Sequence, residues 1–152
     1  MGKVAIVMGS AKDQAKMQAA ADTLTQFGVE HDVRVLSAHK TPDATLEFAA
    51  TAADQGFSVI IAGAGKAAHL AGVMAAKSLL PVIGVPLSAS LQGLDALLAT
   101  VQMPTGIPVA TVAVDGSANA ALLAITILAL NDEGLAEQLA EYRLELAEQT
   151  LE

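Results

Sequence analysis

The six residues SAHKTP, Ser37 to Pro42, set a histidine beside a lysine, just after an apolar run and just before a proline. An imidazole with an ordinary pKa of about 6.5 gives and takes protons near neutrality. A neighbouring lysine supplies a point charge for an anionic substrate. His39 and Lys40 are therefore a candidate acid–base group and a candidate anion contact. The other two histidines read differently. His31 lies in the polar turn VEHD and reads as a surface residue, whereas His69 falls in the first turn of a helix behind a glycine-rich loop. There it either positions a ligand or serves the structure. No Ser-His-Asp order and no metal-ligand spacing is present, and His39 with His69 alone makes a poor zinc site.

The lysines sharpen this reading. The chain has only eight Lys and Arg, yet Lys12, Lys40 and Lys66 fall in three separate loops, GSAKD, SAHKTP and GAGKAAHLAG. Each loop follows an apolar run and leads into a helix, whose free N–H groups and dipole favour an anion. MGS and GAGKAAHLAG are each weak signals alone, because neither completes a dinucleotide fingerprint or a P-loop. Their coincidence points to a phosphate or carboxylate at one edge.

Those loops need a scaffold that brings them together. Five short apolar runs read as strands, at 4–9, 32–37, 58–63, 81–86 and 107–114, with helical segments at 13–27, 43–55, 67–79, 91–100 and 117–131. This alternation predicts βαβ units around a parallel sheet. The first, third and fourth strands are almost continuously apolar, as a sheet covered on both faces requires. Ligands bind at the carboxyl ends of such strands, which is where these loops lie, together with LSASLQGLD and DGSANA. Asp13 reads as the cap of the first helix and Gly28 as its stop. Thr41 reads as N-cap of the second, with Pro42 at its first position and Gly56 at its end. The last segment, 133–151, carries Leu135, Leu139, Tyr142 and Leu146 on one helical face. It is either packed on its own domain or laid on a neighbouring subunit.

Composition narrows the function classes. The 152 residues make one domain, 1–152, with an α/β core over 1–131 and a helical arm over 133–151. They are 53% hydrophobic and 16% charged, with a mean hydropathy of +0.51. That apolarity favours subunit interfaces, and so favours the neighbouring-subunit reading of the arm. The stretch nearest to a membrane-spanning helix, Ala118 to Leu130, is too short to span a bilayer, and Asn119 and Thr126 interrupt it. With no cysteine, thiolate chemistry and disulfides are excluded, as suits the cytoplasm. A net charge of −8 and four aromatic residues speak against nucleic acid as a partner. The residues alone lead to an α/β enzyme for a phosphorylated small molecule, working by histidine acid–base chemistry.

Longer motifs carry a resemblance. VAIVMGS with Asp13, SAHKTPD, VIIAGAGKAAHLAG, PVIGVP, GLDALLATVQMPTGIPVATVAV and NAALLAITILAL run in order over about residues 3–131. Together they resemble the PurE family of 5-(carboxyamino)imidazole ribonucleotide mutases of purine synthesis. The resemblance implies a flavodoxin-like three-layer sandwich, a homo-octamer whose C-terminal helices pack on neighbouring subunits, and a ribonucleotide substrate. It implies transfer of a carboxylate from the exocyclic nitrogen to ring carbon 4 by decarboxylation and recarboxylation, with no metal, ATP or organic cofactor.

By the same resemblance His39 is the general acid–base, and Ser10 and Asp13 hold the phosphate and ribose hydroxyls. Lys40 contacts the phosphate, and Ala64, Gly65, His69 and Leu70 wall the base and the CO2. The chain departs from the family where Lys12 replaces a serine, Lys40 an arginine, Lys66 a glycine and Ala71 a proline; VDGSANA is also shortened. Lys12 and Lys66 are carried as substrate-binding residues. The HK pair keeps a carboxylase using free CO2 as an alternative, and the lysine substitutions keep a non-catalytic nucleotide-binding paralogue as another.

Overall fold

The computed structural model describes residues 2–151. Eleven regular elements follow in the order β1 (Lys3–Met8), α1 (Gln14–Gln26), β2 (His31–Val35), α2 (Pro42–Thr51), β3 (Phe57–Gly65), α3 (Leu70–Lys77), β4 (Val82–Leu87), α4 (Leu94–Val101), β5 (Ala110–Thr111), α5 (Ser117–Ala129) and α6 (Glu133–Leu151). All strand pairs are parallel, in the order β2-β1-β3-β4-β5. This is the flavodoxin-like arrangement expected. It places the chain's change of direction between β1 and β3, so the crevice at their carboxyl ends is open to a ligand.

The two-residue period of the central strands explains the three layers. Val4, Ile6 and Met8 of β1 join Ile61, Ile83, Val85 and Leu87 beneath Met17, Leu24, Ala120, Ile125 and Leu135. Ala5 and Val7, with Ile60, Ala62 and Val82, face Phe48, Ala49, Leu70 and Met74 on the other side. Both sets are buried, so these strands are apolar throughout. Edge strand β2 differs: Val33 and Val35 remain exposed.

Small residues let the site-bearing helix approach closely. A Cβ on Gly63 would stand 2.5 Å from the Met17 sulfur, so glycine there allows α1 to lie against β3. Ala120, Ala121 and Ala124 give α5 a flat face toward α1 and the sheet.

Several expectations are corrected. The fifth strand keeps only Ala110 and Thr111 of the span 107–114, because Pro108 lacks an N–H for the ladder and the sheet ends there. His31 is not in a turn but starts β2, pairing with Val4, with Nδ1 2.9 Å from the Val29 carbonyl oxygen. Neither Asp13 nor Thr41 caps its helix through the side chain. Ser10 instead accepts from the Lys12 N–H at 3.2 Å, capping a short 3-10 turn at Ala11–Asp13 that leads into α1. The segment expected at 91–100 is likewise divided into a 3-10 turn, Leu91–Gly93, and α4.

Helix α6 divides its apolar stripe. Leu135 is fully buried, and Leu139 and Tyr142 pack against the same core. The Tyr142 ring meets Phe27 edge-on at 5.6 Å. Leu144, Leu146 and Leu151 stay exposed. The first half of the helix thus completes its own domain.

Candidate active site

The loops after β1, β2 and β3 converge on a cavity of about 390 Å³ at the carboxyl edge of the sheet. Ser10, Lys12 and Asp13 line it from the first loop, His39 and Lys40 from the second. Ala64, Gly65, Lys66, His69 and Leu70 close it from the third. Every residue anticipated for the site is therefore brought to one cavity. Sequence reasoning missed Gly9, Ser37, Ala38, Ala67 and Ala89, which also line it. The fourth loop, LSASLQGLD, is expected at the ligand edge, but nothing in its pattern singles out Ala89.

Local hydrogen bonds fix each loop. Gly9 N–H donates to the Gly63 carbonyl at 3.1 Å and Asp13 N–H to that of Ser10 at 3.0 Å, extending the β1–β3 pairing into the first loop. Around His39, the Ser37 hydroxyl accepts from the Lys40 N–H at 3.0 Å, and Thr41 Oγ1 accepts from the Ser37 N–H at 2.9 Å. The Thr41 and Thr45 hydroxyls both donate to the Ser37 carbonyl, at 3.1 and 3.0 Å. Serine and threonine thus tie a short loop to the first turn of α2 and aim the side chains between them. The third loop turns at Lys66, whose φ of 54° lies in the left-handed region that favours glycine. The Ala68 N–H closes that turn onto the Lys66 carbonyl at 2.8 Å and leads into α3, with His69 at its N-cap position.

The result is a contact between the second and third loops. His39 Nε2 lies 2.7 Å from His69 Nδ1, with ring centroids 4.8 Å apart at an interplanar angle of 89°. A single proton can occupy that hydrogen bond, so one ring donates while the other accepts. His69 is thereby a partner of the acid–base candidate.

Charge completes the site. Lys12, Lys40 and Lys66 are all exposed at the cavity, while Asp13 is half-buried. Burial pushes the Asp13 carboxyl above its ordinary range, opposed by the Lys16 charge and the Ser10 backbone. Three cations against one carboxylate make an anion-attracting cavity on an acidic protein. Among the described residues, no three His, Asp or Glu side chains converge as a metal-holding group.

Comparison with known proteins places the chain in a family. Residues 3–149 match the AIR carboxylase family. The N5-carboxyaminoimidazole ribonucleotide mutase of Pyrococcus abyssi is 54% identical over 144 residues, covering 94% of this chain and 83% of that one. The mutase of the same name from Escherichia coli K12 is 53% identical over 153 residues, covering 99% and 90%. The crystal structure of Treponema denticola PurE superposes with a TM-score of 0.87 at 30% identity, covering 98% of this chain and 94% of that one.

Proposed function

The chain belongs to the AIR carboxylase family, and on that premise we propose how its cavity performs the mutase reaction. The protein is an isomerase of purine biosynthesis, an N5-carboxyaminoimidazole ribonucleotide mutase. Relatives sharing about half of its residues bear that name, and neither the free-CO2 carboxylase nor the non-catalytic paralogue is favoured.

The reaction moves a carboxylate from the exocyclic nitrogen of the imidazole to ring carbon 4. Cleavage of the N–carboxylate bond leaves its electron pair on nitrogen, which takes a proton. Carbon 4 then adds to the released CO2 and loses its own proton. One group that first gives and then accepts a proton serves both halves. His39 fills this role, and the observation that supports it is its 2.7 Å contact with His69 at the mouth of the shared cavity. His69 orients the imidazole and sets which nitrogen carries the proton.

Lys40 and Lys12 hold the phosphate, with Ser10, and Asp13 accepts from the ribose hydroxyls. Lys12 lies in the 3-10 turn that leads into α1, and Lys40 precedes α2, whose N-terminal N–H groups favour an anion. Ala64, Gly65 and Leu70 supply the close, partly apolar wall that keeps CO2 from escaping. Lys66 adds a cation for the migrating carboxylate.

The finer assembly is also a proposal. The exposed leucines of outer α6 and the exposed row Leu91, Leu94, Leu98 and Val101 suit burial between subunits of a homo-octamer. No described helix is long and apolar enough to cross a membrane, and we place the reaction in the cytoplasm with its nucleotide substrate.

Isotope transfer tests the function. With unlabelled carboxyamino substrate in labelled bicarbonate, internal transfer predicts little label in the first product formed. Full incorporation from the first turnovers, with activity on aminoimidazole ribonucleotide at low bicarbonate, would make the protein a carboxylase instead.

A further inference from the structure

Behind the cavity, a polar chain ties the loops after β4 and β5 to the first turn of α1. Lys16 stands one helical turn after Asp13, and its ammonium donates to the Ser88 carbonyl and lies 3.4 Å from the Ser88 hydroxyl oxygen. Ser88 in turn donates to both carboxylate oxygens of Asp115, through its N–H at 2.9 Å and through its hydroxyl. The Lys16 carbonyl accepts from the hydroxyl of buried Ser117 at 2.7 Å. Lys16 is thus held at its backbone from α5 and at its ammonium from the end of β4.

Asp115 is held in an uncommon conformation to do this. Its φ of 59° lies where side-chain-bearing residues are seldom found. Its N–H donates to the Pro86 carbonyl at 2.9 Å, fixing that turn beside Ser88. Burial works against its charge, but the hydrogen bonds from Ser88 and the nearby Lys16 ammonium hold its carboxyl below the ordinary range. Asp115 anchors Ser88, and Ser88 anchors Lys16.

We propose that Lys16, held by Asp115 through Ser88, is a positioning residue that fixes the first turn of α1, and with it Asp13, against the loops after β4 and β5. A half-buried carboxylate next to a nucleotide phosphate is driven toward its neutral form, and a fixed ammonium one turn away opposes this. The charged and titratable groups around Asp13 are Lys12 and Lys16 on its own element, His39 and Lys40 from the second loop, Lys66 and His69 from the third, and Asp115 behind. Lys16 is hydrogen-bonded to the protein frame through its ammonium, while the cavity lysines Lys12, Lys40 and Lys66 are exposed. The inference rests on the reading that Asp13 faces the nucleotide.

Steady-state kinetics of the full-length enzyme with the carboxyamino ribonucleotide, across pH, test it. Lys16→Met should raise KM about 5-fold, as loss of about one ordinary hydrogen bond's net contribution would, with kcat within about 2-fold. Because Asp13 loses a charge that lowers its pKa, the acid limb of kcat/KM should move to higher pH. Lys16→Arg should restore both readouts, and Asp115→Asn should shift both in the same direction by less. Unchanged KM and acid limb in Lys16→Met, equal losses in Lys16→Met and Lys16→Arg, or a wild-type Asp115→Asn beside an impaired Lys16→Met would each overturn the proposal. Asp13→Asn separates the two readings. If that variant leaves KM unchanged, the placement of Asp13 at the nucleotide fails; if it raises KM while Lys16→Met does not, the tether alone fails.

Discussion

His39 Nε2 and His69 Nδ1 meet at 2.7 Å, although the two residues stand thirty positions apart on loops after different strands. The bond fixes one nitrogen of His39, the proposed acid–base group, through the protein. A group so positioned contributes about 100- to 10,000-fold to proton transfer. His39→Asn should lose turnover by that range while the circular-dichroism spectrum and product binding stay near wild type. Turnover within a few-fold of wild type would remove His39 from the chemistry.

His69 should act through orientation. Asparagine places an amide oxygen near the Nδ1 position, so His69→Asn keeps a hydrogen-bond partner that His69→Ala lacks. Loss of one such bond corresponds to about a 10-fold fall in kcat. The alanine variant is expected to show it and the asparagine variant to recover most of it, as read from kcat at saturating substrate. Equal kcat in the two variants would mean that the contact has no role in turnover.

Phosphate recognition can be isolated by comparing inhibition by the product nucleotide and its dephosphorylated nucleoside. An exposed lysine contact is screened by salt, so nucleotide inhibition by the wild type should weaken as ionic strength rises. Lys40→Met should shrink the difference between nucleotide and nucleoside. An undiminished difference would assign Lys40 to another task.

Lys66 separates stability from function. At a φ of 54° a lysine carries a backbone cost of about 1 kcal/mol that glycine does not. Lys66→Gly should therefore leave the melting temperature unchanged or raise it, while raising KM if the ammonium holds the carboxylate. A lower melting temperature with unchanged KM would reverse the assignment and make Lys66 structural.

The two halves of α6 should respond differently to truncation. Ending the chain after Leu130 would remove buried Leu135 and so confound folding with assembly. Leu135→Ala should itself cost about 2–5 kcal/mol in chemical denaturation. Truncation after Arg143 keeps Leu135, Leu139 and Tyr142, and should yield a folded protein of lower mass by light scattering. An undiminished assembly would place the subunit contacts elsewhere.

The layer order and the site were legible in the sequence because both rest on local patterns. Alternation of β-branched runs with alanine-rich segments specifies a parallel α/β sheet, and such a sheet collects the loops after its strands along one edge. His39, the three lysines and the glycine-rich loop are written in those loops, so their convergence could be read before any coordinates. Family motifs added the reaction, which composition and spacing had left open.

What depended on tertiary structure was everything set by long-range contact. Whether Thr41 caps its helix or knits the His39 loop depends on where Ser37 lies after folding. Whether β5 runs for eight residues or two depends on its neighbour, since a strand needs a partner's ladder as well as its own propensity. Lys16 reads in the sequence as an ordinary helix residue, and its ammonium is tied to the loop after β4 only because Ser88, 72 positions later, and Asp115 fold beside it. Sequence spacing is periodic and local, whereas a hydrogen bond is made by atoms a few ångströms apart wherever their residues stand in the chain.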